Sequence, residues 1–312
     1  MGLKFSVVIP VKPHQGEVPV LESLKKMDYP QERYEVIIEE GPNPSLNRNR
    51  GIKKAKGEIL AFVDDDCLVD THWLKNAERF IEEHKVDALG GPQLTPPTDN
   101  LLSKASGHVF SSFFGSYKMS KRYKRGEEDL NADELSLTSA NLFVKREVFS
   151  EIAPFNSQLY PNEETELISR MRENHYKIAY SPEVVIYHKR RPTFSAFFKQ
   201  CMGYGAGRGR QNIIEGKHLR IFILIPIGFL LYFLSLPFLA NINPLSLSLL
   251  AIYGILNLSF STLISIRNRD LRLLPLLSLL FFIVHLAYPL GIVKEYITHF
   301  GKKTFASSRH TT

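Results

Sequence analysis

Cysteine is scarce. Two residues in 312, Cys67 and Cys201, cannot build a disulfide framework, so a small cross-linked scaffold is excluded. The glycines of "FFKQCMGYGAGRGR" form no G-x-G-x-x-G, because Arg208 and Arg210 fall where the last glycine would stand, and a dinucleotide fingerprint is excluded with it. No internal repeat is present, which argues against a solenoid. The opening "MGLKFSVVIPV" carries one Lys, a short apolar run and no small-residue cleavage site, so no secretory signal is read there. It fits the myristoylation pattern only formally; Phe5 to Val11 reads as a first strand. Basic and aromatic residues do not interleave as a stacking surface requires. The net charge of +7 is therefore not read as nucleic-acid binding, and it suits the anionic cytoplasmic face of a membrane.

Charge is missing most conspicuously from the C-terminal third. Residues 1–200 mix apolar and charged side chains as a globular domain does, whereas Leu, Ile, Phe and Pro dominate from Ile221 onward. Three apolar stretches stand out, Ile221 to Ala240, Leu245 to Ile266 and Leu273 to Val293, each approaching the ~20 residues that cross a bilayer as a helix. Uncharged "NINP" joins the first two, and "RNRDLR" (267–272), with three Arg, joins the second and third; Lys217 and Arg220 precede the first. The positive-inside rule puts the N-terminal domain and "RNRDLR" on the cytoplasmic side. The third stretch holds Pro275, His285, Pro289 and Gly291. It either crosses, leaving Lys302 and Lys303 outside, or re-enters as a hairpin, so two or three spans are expected. The division is a cytoplasmic domain over 1–215 and a membrane domain over 216–312.

The first half alternates strand and helix. "KFSVVIPV", "YEVIIEE", "EILAFVDDD" and "VDALGGPQL" read as strands; Val18 to Met27, Asn47 to Lys56 and "HWLKNAERFIEEH" read as helices. Continuous apolar strands alternating with helices predict a mostly parallel, Rossmann-like α/β sheet, with ligands at the carboxyl ends of strands. "LTPPTDN" (94–100) and "KMSKRYKRGEEDLNADE" (118–134) read as polar loops; the second is an active-site loop or a solvated charge run, and composition favours the latter.

The third strand runs into three carboxylates, Asp64, Asp65 and Asp66. On an extended strand end Asp64 and Asp66 point the same way, and two convergent carboxylates are hard ligands suited to Mg2+ or Mn2+. The competing reading is an acidic turn capping the next helix, with Asp70 as N-cap.

"FSVVIPV", "YEVIIEEG", "RNRGIKKAKGEILAFVDDDC" and "HWL", in this order, resemble the nucleotide-sugar half of a family 2 glycosyltransferase of GT-A fold. The resemblance covers residues 4 to about 210. It implies that Asp66 is the main ligand of a divalent metal, with Asp64 supporting it or binding ribose, and His188 as a third ligand. It places Pro10, Val11, Glu40, Arg48, Asp64 and Asp65 on the nucleotide. Glu39 and Gly41 replace the commoner apolar-then-Asp pairing, so uracil and guanine both remain open. "LTSANLFVKREVF" (137–149), with Ser139 and Asn141, is similar to the wall of the sugar and acceptor pocket. In the family's E-D segment this chain has Glu163 and Glu164, with Asn162 and Asn156 at two further departures. Glu164 takes the general-base position of inverting members, and its bland alternative is acid at a helix N-terminus. Gln200 and Tyr204 match Q-x-x-R-[YW] on the acceptor side, although Gly203 stands where the Arg would be, which counts against a processive synthase.

The implied activity is transfer of a sugar from a nucleotide-diphosphate donor, a UDP-sugar favoured, to a polyprenyl-phosphate-linked or glycan acceptor. It is metal-dependent and inverting, and it serves cell-surface polysaccharide or glycoconjugate synthesis. The implied location is the cell membrane, multi-pass, with Phe194, Phe197 and Phe198 among Lys199 and Arg191 at the lipid interface. Two rivals are weighed. A phosphohydrolase needs Thr or Val where Leu68 stands, and an inactive membrane scaffold of the same fold would explain the Glu163–Glu164 substitution.

Overall fold

The computed structural model describes residues 2–14, 16–216 and 221–308, without the side chains at 221, 222 and 300–308. Lys217 and Arg220 lie outside the described residues, as do the side chains of Lys302 and Lys303.

The chain divides into two compact units, one of residues up to Asp99 with Phe110–Arg190, the other of Asn100–Val109 with everything from Arg191. Residues 191–215, which the sequence reading assigned to the first domain, fall in the second unit.

In the first unit, β1 (Phe5–Val11), β2 (Tyr34–Glu40), β3 (Ile59–Val63), β5 (Ala88–Gly90), β7 (Asn141–Lys145) and β8 (Ile178–Tyr180) form one sheet in the order β2-β1-β3-β7-β5-β8. A smaller sheet, β4-β9-β6, is made of β4 (Cys67–Val69), β6 (Gln93–Leu94) and β9 (Ile186–His188). Strand β1 is buried along its whole length and lies parallel to β2 and β3. Its residues alternate between two cores as a period of two dictates. Phe5, Val7 and Ile9 join Ile59, Ala61, Trp73 and Phe143 on one face; Val8 joins Leu60, Phe62, Leu167 and Ile168 on the other. The helices Trp73–His84 and Glu163–Glu173 cover these two faces with residues at helical spacing, Leu74, Ala77 and Ile81 on the first and Leu167, Ile168 and Met171 on the second.

One expectation holds and one needs correction. The main sheet is mostly parallel, with β1 parallel to β2 and β3 and β5 parallel to β8, while β7 runs antiparallel to β3 and β5. "VDALGGPQL" is two strands in two sheets. Between them, a Cβ on Gly91 would stand 1.9 Å from the Val184 carbonyl oxygen, and this close approach is where the chain leaves one sheet for the other.

In the second unit, three helices are long and apolar enough to cross a membrane, over Ile223–Ile242, Pro244–Arg267 and Leu273–His299. The third belongs to one continuous helix, Leu273–Ser308, with Pro289 inside it, so the hairpin alternative is not adopted. The helix Phe194–Glu215 packs on it backbone to backbone. A Cβ on Gly205 would stand 1.9 Å from the Tyr288 carbonyl, and one on Gly291 2.0 Å from that of Met202. Small residues at such crossings let helices touch directly.

Gly91→Ala should destabilise the protein by about 1–3 kcal/mol through overpacking against fixed backbone. Gly90→Ala should cost less, since the nearest atom there is the movable tip of Leu137. Thermal melts of the two purified variants test this ordering.

Candidate active site

Strand β3 ends at Val63, and the acids that follow sit in a turn closed by the Cys67 N–H donating to the Asp64 carbonyl at 3.2 Å. They are not on an extended end, and the turn gives Asp64 and Asp66 different partners. Asp64 Oδ1 accepts from Arg48 Nη2 at 2.6 Å. Asp66 Oδ1 lies 3.1 Å from His188 Nε2. The Asp65 carboxyl is raised above its ordinary range by burial, then by Asp66 and Asp64 on either side. Helix capping does not account for the triplet: Asp70 accepts from the His72 N–H at 3.0 Å, and neither Asp64 nor Asp66 takes part.

Arg48 is buried, 2% exposed, on the helix Pro44–Lys54, whose start is capped by Asn43 accepting from the Ser45 and Leu46 N–H groups. Its second arm, Nη1, donates to Glu163 Oε1 at 2.8 Å, and the ring of Phe155 lies 5.7 Å from its guanidinium carbon. The arginine expected beside the nucleotide thus joins the acid turn to the Glu163–Glu164 pair. Its neighbours support that placement. Asn49 exchanges two hydrogen bonds with the Phe155 backbone, and Asn47 donates to the Val11 and Gly41 carbonyls.

Glu163 and Glu164 open the helix Glu163–Glu173, and both are buried. The Glu163 carboxyl is pushed up to about 7 by burial first and by Glu164 next, against the pull of Arg48. Its Oε2 is buried without a hydrogen bond. Glu164 Oε1 accepts from Arg122 Nη1 at 3.1 Å. Arg122 lies in the 118–134 run that composition marked as solvated, yet it is 4% exposed. No local pattern distinguishes it from the lysines and arginines around it.

His188 ends β9 opposite Cys67 of β4. Its Nδ1 lies 2.7 Å from Gln93 Oε1. An amide oxygen only accepts, so Nδ1 donates to Gln93, which leaves Nε2 turned toward the Asp66 carboxylate, an orientation in which the two could hold one cation between them. Asp66, Cys67 and His188 offer ligand atoms within 4.8 Å of one another, but burial raises the Cys67 thiol well above its usual range, which keeps it protonated. The imidazole and carboxylate fit a borderline-hard divalent ion. Asp64, expected as a ligand, has Oδ1 committed to Arg48.

The remaining expected residues are spread more widely. Pro10 and Val11 end β1 beside Glu39 and Glu40. Glu40 is exposed and accepts from the His14 N–H at 3.2 Å, while buried Glu39 pairs with Arg50 and Lys54. Ser139 is buried. The Asn141 side chain accepts from Trp73 Nε1 and donates to the Pro92 and Val184 carbonyls, so it is spent on the fold. Gln200 and Tyr204 lie in the other unit, one turn apart on the same helix and 3.0 Å from each other.

A sheet of this topology, with an acid-bearing turn at the end of its central strand, has the GT-A architecture of nucleotide-diphosphosugar transferases. The chain belongs to the family described as "Glycosyltransferase like family 2", whose profile matches residues 3–203, and it is a glycosyltransferase acting on nucleotide sugars. Glycosyltransferase AglE of Haloferax volcanii is 23% identical over 262 residues, covering 74% of this chain and 82% of that protein. The dolichyl N-acetyl-alpha-D-glucosaminyl phosphate 3-beta-D-2,3-diacetamido-2,3-dideoxy-beta-D-glucuronosyltransferase of Methanococcus voltae is 22% identical over 267 residues, covering 74% and 80%. Among solved structures, the mannosyltransferase PcManGT of Pyrobaculum calidifontis, in complex with GDP-Man and Mn2+, has a TM-score of 0.54 and 14% identity, over 95% of this chain and 88% of that one.

Arg48→Gln should cost about 3–5 kcal/mol, because it strands two acids that share one cation; denaturant melts measure this. A carboxyl whose folded pKa is raised adds stability while protonated and loses it as pH climbs from 4.5 toward about 7. Glu163→Gln should therefore gain on wild type in melting temperature as pH is raised from 5 to 8.

Proposed function

We propose that this protein moves a sugar from a nucleotide-diphosphate donor, a UDP-sugar favoured, to a lipid-linked or glycan acceptor with inversion, using Mg2+ or Mn2+. The observation that carries this reading is Arg48 bridging Asp64 and Glu163. That bridge connects the acid turn beside His188 to the buried pair that holds Glu164. The donor diphosphate belongs at the turn, where Asp66 and His188 would hold the cation; once bound, it offsets charge on the leaving diphosphate. Pro10, Val11 and Glu40 border the nucleoside at the ends of β1 and β2. Glu164 accepts the proton of the acceptor hydroxyl as that oxygen bonds to the anomeric carbon and the bond to the diphosphate breaks.

A lipid-linked acceptor is supported by the name of the Methanococcus relative, which acts on a dolichyl-linked sugar phosphate, and by the three apolar helices. Those helices, with Arg267, Arg269 and Arg272 between the last two, support a multi-pass place in the cell membrane with the catalytic unit on the cytoplasmic side.

Nucleotide release from a panel of UDP- and GDP-sugars, with membrane lipid extract and Mg2+ or Mn2+ against EDTA, tests this. One donor should turn over, release should stop with EDTA, and Asp66→Ala and His188→Ala should each weaken the metal dependence. Glu164→Gln should lower kcat by about 10²–10⁴-fold. Donor binding without turnover in any combination would favour the inactive scaffold.

A further inference from the structure

Arg122 is not explained by the fold alone. Its guanidinium is clamped at two points by backbone, Nε donating to the Leu135 carbonyl at 3.0 Å and Nη2 to that of Glu134 at 2.6 Å. Its third contact, from Nη1, goes to Glu164 Oε1 at 3.1 Å. Two of the three fix the cation in place, so the carboxylate must conform to the arginine. Glu164 is 6% exposed, and its other oxygen, Oε2, has no hydrogen-bond donor among the described residues. The segment that delivers Arg122 is itself anchored. Tyr123 stacks on Phe110 with ring centroids 5.1 Å apart, and the Arg190 guanidinium lies 5.0 Å from the Tyr123 ring centre.

We propose that Arg122 is a positioning residue for glycosyl transfer: it fixes one oxygen of Glu164 and leaves the other open to the acceptor hydroxyl. This rests on the reading of Glu164 as the base. The chemistry supplies a reason for the device. Glutamate has one more rotatable bond than aspartate, so a base built from it needs an external constraint to keep a single direction. A fixed guanidinium supplies that constraint through a charge-assisted hydrogen bond. In the transfer the acceptor oxygen bonds to the anomeric carbon, the bond to the diphosphate breaks, and the hydroxyl proton passes to Glu164. Arg122 stays protonated throughout.

The test uses the full chain and whichever UDP- or GDP-sugar of the panel turns over with lipid extract. Arg122→Gln, Arg122→Lys, Glu164→Asp and Glu164→Gln are compared for kcat and for KM of the donor. Arg122→Gln should lower kcat by about 10²-fold through misplacement of the base, with donor KM little changed. Arg122→Lys keeps a cation beside Glu164 and should recover part of that loss. Glu164→Asp, drawn back from Arg122, should lower kcat in the same way with donor KM unchanged, and reads the proposal even if the glutamine variant misfolds. Wild-type kcat in both Arg122→Gln and Glu164→Asp, with Glu164→Gln inactive, overturns the positioning role and leaves the base in place. Full activity of Glu164→Gln overturns the base reading instead.

Discussion

One guanidinium holds the candidate site together. Arg48 places a positive charge between two carboxylates that come from distant parts of the chain, Asp64 at the end of β3 and Glu163 at the start of a helix. Glu163 is buried and could ionise without a partner only at high cost, and neither acid could leave without taking a partner from the buried arginine. The half of the domain that carries the acid turn and the half that carries Glu164 are thus tied by ionic geometry as well as by apolar packing. The Asn49 exchange with Phe155 lies beside this tie and fixes the same two segments through backbone.

The acid turn shows how a costly feature is accommodated. Three carboxylates in succession repel, and burial first, then the acids on either side, raise Asp65. The fold separates the other two by changing sheets. The main sheet ends at Val63 and the small sheet begins at Cys67, so Asp64 turns to a buried cation and Asp66 to an imidazole. Each acid has a separate partner, one holding the domain's halves together through Arg48 and the other facing His188.

Much of this was legible in the sequence, and the exceptions share a cause. Strands β1, β2 and β3 were readable because apolar runs bounded by Pro, Gly and Asp state burial and termination locally. The helix from Trp73 was readable from its periodicity. The split at Gly91 was not, since it depends on the Val184 carbonyl far along the chain. Nor was the reversed direction of β7, since a run of apolar residues reads alike both ways. At the candidate site, Asp66, His188 and Glu164 were singled out through motif resemblance. Arg122 was missed because its burial is decided by the carbonyls of Glu134 and Leu135, and composition cannot report that. Arg48 was expected beside the nucleotide, but its two acid partners were not legible: a motif names a residue, and only the packed chain decides which acids it meets.

The reciprocal contact of Gly205 with the Tyr288 carbonyl and of Gly291 with that of Met202 has a mechanical meaning. Joined backbone to backbone at this crossing, and further along by Arg210 with Glu295 and Tyr296 with Asn212, the helices Phe194–Glu215 and Leu273–Ser308 are tied at several points along their length. A helix that spans a bilayer meets a change in its thickness by tilting. Were the long helix to span one, its tilt would carry the shorter helix with it.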